Sequence, residues 1–411
     1  MAEDSGSRAD RSPDASPAAE AWDFVAPQRI LFGAGRVVEV GAVAAALGGE
    51  AWLVVGGRSV AADGRAGAVA AALGAAGVSA RVVARSAGEP TVDQVAAALA
   101  ALPAEGRDRA VIVALGGGST IDLAKALAAL ATNASGADAE AAVLDHLEGV
   151  GRCLPIARPP LPLVAIPTTA GTGAEATRNA VISCPRRRFK KSMRSPLMVP
   201  RAAIVDPVLT VSCDRATTAA SGLDCVTQLI ESFICRVRRT LVRSLVLEAL
   251  PRALAALPRV LADPTDLEAR TAMSHAAIVS GIALTNSGLG MAHGVAAALG
   301  VECGASHGVA CALMLPVALH VNRAVAKADL AALERAVDPA ASAVDDVAAA
   351  AFGERIGAMC DVAGTPRRLR DVGLAADRVG WLAANSGGAS MRGNPVQLDE
   401  AGLRAALESA W

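Results

Sequence analysis

The segment Ala114-Leu-Gly-Gly-Gly-Ser-Thr-Ile-Asp-Leu-Ala-Lys125 sets three consecutive glycines between an apolar run and a helix-like stretch. Ala110–Ala114 reads as a buried strand, and a helix opens after the turn with Ser119 near its start. Gly116, Gly117 and Gly118 let the backbone come close to a ligand, and the free N–H groups at a helix N-terminus attract an anion. Such a turn can cradle the diphosphate of a cofactor. Taken alone, a glycine turn also serves merely to change the direction of the chain.

A second group of residues has the types needed to hold a metal. Asp224 and Gln228 lie four apart in Gly222-Leu-Asp-Cys-Val-Thr-Gln-Leu-Ile-Glu231, which on a helix puts both on one face. His293 and His307 sit in similar small-residue settings, each followed by glycine, in a chain with five histidines. One carboxylate, two imidazoles and the amide oxygen of Gln228 form a donor set for a divalent ion. The same spacings also fit a capping aspartate and buried histidines bonded to backbone carbonyls.

These residues need elements to position them. From Ala51-Trp-Leu-Val-Val55 onward, strands at Ala80–Ala84, Ala110–Ala114 and Leu161–Ile166 alternate with helical stretches, ending in Pro167-Thr168-Thr169. This pattern predicts an α/β unit with a parallel sheet and helices on both faces. The loops at Gly56, Gly116 and Thr168 then converge beyond the carboxyl ends of the strands, where such sheets bind ligands. After Asp206-Pro207 the pattern turns helical, with segments near 216–236, 241–256, 267–284, 292–299 and 308–324. The resulting expectation is a disordered leader (1–20), an α/β dinucleotide-binding domain (21–205) and an all-helical metal and substrate domain (206–411). Cofactor and metal meet in the cleft between the last two, and the proline-rich stretch 195–207 is read as the connection.

Composition excludes some functions. The net charge of −1 gives no field to recruit nucleic acid or an anionic membrane, and nine Trp and Phe with no Tyr offer few stacking surfaces. The longest apolar stretches are interrupted by Gly, Pro or charge, and no membrane span is expected. Eight cysteines show no C-x-x-C pair and residues 1–20 have no apolar secretory core, so the expected setting is cytoplasmic with reduced thiols.

Taken together, the motifs resemble the iron-containing (group III) alcohol dehydrogenases, in the superfamily of glycerol dehydrogenase and dehydroquinate synthase. The resemblance is carried by Gly116–Lys125, Pro167-Thr-Thr-Ala-Gly-Thr-Gly-Ala-Glu175, Lys191-Ser-Met-Arg-Ser-Pro196, Val205-Asp-Pro-Val-Leu-Thr210, Gly222-Leu-Asp224, the His293/His307 pair and Gly393-Asn-Pro395. It implies that Gly116, Gly117, Gly118 and Ser119 hold a cofactor pyrophosphate, with Asp122 beside them. Thr168, Thr169 and Thr172 would line the nicotinamide and ribose, and Lys191 would reach the sugar or phosphate. Asp224, Gln228, His293 and His307 would surround Fe2+ or Zn2+. The implied activity is NAD(P)-linked hydride transfer with a small alcohol or aldehyde, in a homodimer or larger homo-oligomer.

The chain departs from the family pattern at three places. Gln228 stands where most members carry a ligating histidine, and Ala297 where many carry a proton-relaying one. Gly57, followed by Arg58, replaces the aspartate that NAD-preferring relatives often carry there. That leaves room for a 2′-phosphate, a slight preference for tolerating NADP. Arg186-Arg-Arg-Phe-Lys-Lys191 reads as a solvated hairpin, with attraction of an anionic substrate as an alternative. A metal-free, maleylacetate-reductase-like oxo-acid reductase and a non-catalytic nucleotide-binding remnant remain the competing readings.

Overall fold

The protein is described by a computed structural model over residues 21–57, 64–136 and 138–411. The expected leader (1–20) and Arg58 lie outside the described residues. Six parallel strands form the main sheet: β1 (Arg29–Phe32), β2 (Glu50–Val55), β3 (Ser79–Arg85), β4 (Ala110–Gly116), β5 (Leu163–Pro167) and β8 (Ala202–Val205), in the order β1-β8-β5-β4-β2-β3. An antiparallel hairpin, β6 (Asn179–Cys184) and β7 (Phe189–Arg194), stands apart from it.

Strands β2, β4 and β5 are apolar at nearly every position because helices cover both faces of the sheet. Trp52, Val54, Ile112, Ala114, Leu163 and Ala165 face one core, and Leu53, Val55, Val111, Val113, Val164 and Ile166 face the other. This is the two-residue alternation of a strand applied to two buried faces. The covering helices are α1 (Val40–Ala45), α2 (Arg65–Ala75), α3 (Val92–Ala100), α4 (Gly118–Asn133) and α5 (Ala139–Asp145).

One expectation is corrected here. The stretch 195–207 is not only a connection, since it contains β8, which pairs with β1 on one side and β5 on the other. Only four residues, Ala-Ala-Ile-Val, make the strand, and Pro196, Pro200 and Pro207 around it mask the signal.

Among the described residues every element past Val205 is helical: α6 (Arg215–Ile234), α7 (Thr240–Ala262), α8 (Leu267–Asn286), α9 (Met291–Cys303), α10 (His307–Val337), α11 (Asp345–Ala363), α12 (Val379–Asn385), α13 (Ala389–Gly393) and α14 (Glu400–Ser409), with short 3-10 turns. Side chains of Asp214 and Asp266 accept hydrogen bonds at the starts of α6 and α8. Helix α10 is long and apolar enough, by length and composition, to cross a membrane. It nevertheless buries Asn322, Asp329 and Glu334, packs against α9 and α11, and bends at Ala326.

Candidate active site and metal centre

The glycine turn closes directly onto the threonine loop that follows β5. A Cβ on Gly118 would fall 2.5 Å from Thr172 Oγ1, and one on Gly117 would fall 3.2 Å from Thr169 Oγ1. The Thr168 N–H donates to the Gly116 carbonyl at 3.1 Å. Gly116 itself leaves room for Thr120, whose Oγ1 lies 2.4 Å from where its Cβ would be. No side chain caps α4 at Gly117, and while the Thr120 N–H bonds back to the Gly117 carbonyl at 2.9 Å, the N–H groups of Gly118 and Ser119 at the helix start are left for an external acceptor. This is a cradle suited to a pyrophosphate.

Beyond Thr172 the same loop reaches the helical half. A Cβ on Gly171 would lie 2.5 Å from Ser221 Cβ on α6, and one on Gly281 of α8 would lie 2.2 Å from the Gly173 carbonyl oxygen. Glycine is required at both contacts because backbone meets backbone or a neighbouring side chain. The loop therefore joins the phosphate turn to the helix that carries Asp224, three residues after Ser221.

Three helices bring the metal candidates together. Asp224 on α6, His293 in the first turn of α9, and His307 and Cys311 on α10 offer ligand atoms that all lie within 4.8 Å of one another. His293 Nε2 is 3.2 Å from Asp224 Oδ1, and His307 Nε2 is 3.9 Å from it. The side chains of Asp224 and His293 are 2% and 4% exposed, whereas that of His307 keeps 30%, which puts the opening of the site on its side. A carboxylate, two imidazoles and a thiol with mutual spacings of this size fit a divalent cation.

The surroundings set the charge states. Burial opposes ionisation of Asp224, but the charges of His307 and His293, with hydrogen bonds from His293 and Cys311, hold its carboxyl below the usual range. Burial would lower His293, yet Cys311 and the carboxylates of Asp224 and Glu231 raise it well above an ordinary histidine. Burial, with the charge of Lys190 next, brings His307 down to about 4. Burial pushes the Cys311 thiol up to about 12.

Several residues stand differently from the sequence reading. Gln228 was expected to turn its oxygen to the ion. Instead its Nε2 faces Asp224 Oδ2 at 3.4 Å, and its Oε1 accepts from Ser280 Oγ at 2.9 Å. An ionised carboxylate only accepts hydrogen bonds, so it draws the NH2 end of the amide toward itself. Lys191 is exposed on β7. Lys190, opposite Ser183 on the other face of the hairpin, has a side chain only 7% exposed and pairs with Glu89 at 2.5 Å. Lys190 lines a cavity of about 230 Å³ with Glu89, Arg188, Gly300 and Val301. Asp122 lies just past the first turn of α4, and its carboxylate accepts from Val181 N at 3.0 Å and pairs with buried Lys125, tying the hairpin in place. Gly57 follows β2, and among the described residues a Cβ there would meet the Ser86 carbonyl oxygen at 3.5 Å, an ordinary contact.

Three contributors went unread in the sequence. Glu231, seven residues after Asp224 and so on the same helical face, accepts from His293 Nδ1 at 2.7 Å and from the Ala292 and His293 N–H groups. Asn394, within the Gly393-Asn-Pro395 motif, accepts from the Met291 N–H at 2.9 Å and so anchors the start of α9. Cys311 is four residues after His307, a one-turn spacing legible in hindsight.

Comparison with known proteins agrees with this architecture. The profile described as "Iron-containing alcohol dehydrogenase" matches residues 27–207, and that of the "Fe-containing alcohol dehydrogenase family, C-terminal" matches 218–411. The chain belongs to the iron-containing alcohol dehydrogenase family. It is 32% identical over 273 residues to the EutG protein of Escherichia coli K12, covering 66% of this chain and 65% of that protein. The chain thus spans just under two thirds of that relative's length. It is 31% identical over 289 residues to the lactaldehyde reductase of the same organism, covering 70% and 73%. A sulfoacetaldehyde reductase from Bifidobacterium kashiwanohense, solved in complex with NAD+, superposes with a TM-score of 0.82 at 26% identity, covering 95% of this chain and 99% of that one.

Proposed function

We propose that this protein is a metal-dependent, NAD(P)-linked alcohol dehydrogenase or aldehyde reductase acting on a small alcohol or carbonyl compound. The observation that carries this reading is the 168–173 loop, which touches the glycine turn at Gly117 and Gly118 and the metal-candidate helix α6 at Ser221. One short segment packs against both the turn that would hold a dinucleotide and the helix whose Asp224 would hold an ion, so the separation of the two sites is fixed. Such fixed positioning is what hydride transfer needs.

When bound, a divalent ion supplies Lewis acidity toward the substrate oxygen, and the nicotinamide accepts or delivers the hydride. Asp224, His293 and His307 are the residues that hold the ion, and the Gly116–Ser119 turn with Thr168, Thr169 and Thr172 holds the cofactor. Burial of Asp224 and His293 keeps water from that side. Ala297 offers no acceptor on α9, which leaves the substrate proton to solvent at the partly exposed edge of His307.

The sulfoacetaldehyde reductase complex supports NAD. Glycine rather than a carboxylate at position 57 supports tolerance of NADP as well. All eight cysteines are free, which suits a reducing, cytoplasmic setting, and the family suits a homodimer or larger assembly.

The test is turnover of small alcohols, aldehydes and oxo acids with each nicotinamide, by protein stripped of metal and reloaded with Fe2+ or Zn2+. Metal-dependent oxidation or reduction of an alcohol–aldehyde pair is expected. Equal turnover of an oxo acid by stripped protein would replace this reading with the metal-free reductase, and no turnover of any substrate would favour a non-catalytic role.

A further inference from the structure

Several thiols in this chain donate to backbone carbonyls. Cys213 donates to the Thr168 carbonyl, Cys235 to those of Ser232 and Val237, and Cys360 to that of Ala312. Cys311 differs. Its sulfur, fully buried, is turned to the ring of His307, 3.7 Å from Nε2 and 4.0 Å from Nδ1. It also stands within 4.8 Å of the ligand atoms of Asp224 and His293.

Three of these spacings approach those around a single four-coordinate ion. With metal–nitrogen bonds of about 2.0–2.1 Å and a metal–sulfur bond of about 2.3 Å, adjacent donors lie about 3.3–3.6 Å apart. The structure holds His293 Nε2 and Asp224 Oδ1 at 3.2 Å, His307 Nε2 and Cys311 Sγ at 3.7 Å, and His307 Nε2 and Asp224 Oδ1 at 3.9 Å. Gln228, the residue whose sequence position points to a ligand, presents an NH2 group, which has no lone pair to give.

We infer that Cys311, and not Gln228, completes the metal centre, so that this chain binds its ion through one carboxylate, two imidazoles and one thiolate. The inference rests on the metal-dependent reading above. A sulfur ligand moves the site toward ions that accept thiolate, zinc and cobalt before iron. With four protein donors, a substrate oxygen would have to join as a fifth, from the side of His307, the one member of the set that reaches solvent.

Cobalt(II) titration of the full chain, after chelator treatment, tests this. One equivalent of Co2+ should bind with a near-ultraviolet sulfur-to-cobalt charge-transfer band. Cys311→Ala should lose the band and bind Co2+ more than about tenfold more weakly, because losing a ligand costs more than losing its hydrogen-bonding support. Cys311→His should recover binding without the band, and Gln228→Ala should keep the band. Stoichiometric cobalt without the band, or a band that survives in Cys311→Ala, overturns the role of Cys311 while leaving the metal reading intact. Failure of the unmodified protein to take up cobalt, zinc or iron overturns both.

Discussion

Glu231 and His293 are joined by a 2.7 Å hydrogen bond from Nδ1 to a carboxylate that is itself 1% exposed. The same carboxylate accepts from the Ala292 N–H at 2.7 Å and the His293 N–H at 3.3 Å, so it fixes both the ring and the start of the helix that bears it. Nε2 is thereby left to face Asp224. Carboxylates behind metal-binding histidines orient the ring, and their loss weakens metal binding by about 10–100-fold. Glu231→Gln replaces an acceptor oxygen with a donor. It should lower metal affinity by that amount, read by competition with a chromophoric chelator, while circular dichroism stays native. Glu231→Ala should also cost about 3 kcal/mol of stability in a denaturant titration, because three N–H groups lose their buried acceptor.

Asp224 has a simpler role. Asp224→Ala should strip the bound ion and reduce turnover below detection with the fold retained, measured by metal analysis beside circular dichroism. Normal turnover by this variant would remove the metal from the reaction.

Lys190 and Lys191 are neighbours with opposite outcomes. Lys190 is turned inward beside Glu89, and its charge helps to depress His307, whereas Lys191 is exposed. Lys190→Ala should raise KM for cofactor or substrate by about tenfold, the worth of one charge-assisted hydrogen bond. Lys191→Ala should stay within about twofold of the unmodified enzyme. Steady-state kinetics on the pair decides which lysine serves the site.

Among the described residues, a Cβ at Gly57 would make an ordinary 3.5 Å contact with the Ser86 carbonyl oxygen. Gly57→Asp should place a carboxylate where a 2′-phosphate would sit, and so raise KM for NADP far more than for NAD. Equal losses with both cofactors would remove the basis for NADP tolerance.

Glu175, on the loop behind the site, is 2% exposed, and burial raises its pKa to about 7 despite the charge of Lys125. A carboxyl raised from 4.5 holds its proton in the folded state while the unfolded chain has lost it. Stability from this group is therefore complete below pH 4.5 and declines as pH rises to about 7. Glu175→Gln should flatten that slope and leave the variant about 3 kcal/mol more stable than the parent at pH 8, with little difference at pH 4.5, in denaturant titrations. Parallel curves across this range would show that Glu175 is ionised throughout.

Local chemistry made much of this protein readable in one dimension. Glycines at 116–118 between an apolar run and a helix can do little but turn sharply, and the alternation around them dictates a covered parallel sheet. The four-residue step from Asp224 to Gln228 puts both on one helical face wherever that helix goes. What pairs with what is another matter, because parallel strands and helix contacts join residues far apart in the chain. The four residues of β8 are a strand only because β1 and β5 flank them. Lys190 faces inward because the hairpin register pairs it with Ser183. Gln228 turns its nitrogen inward because a buried carboxylate waits there, and Cys311 meets Asp224 only where α6 and α10 pack. Spacing chose the candidates, and long-range packing decided which atoms of them face the site.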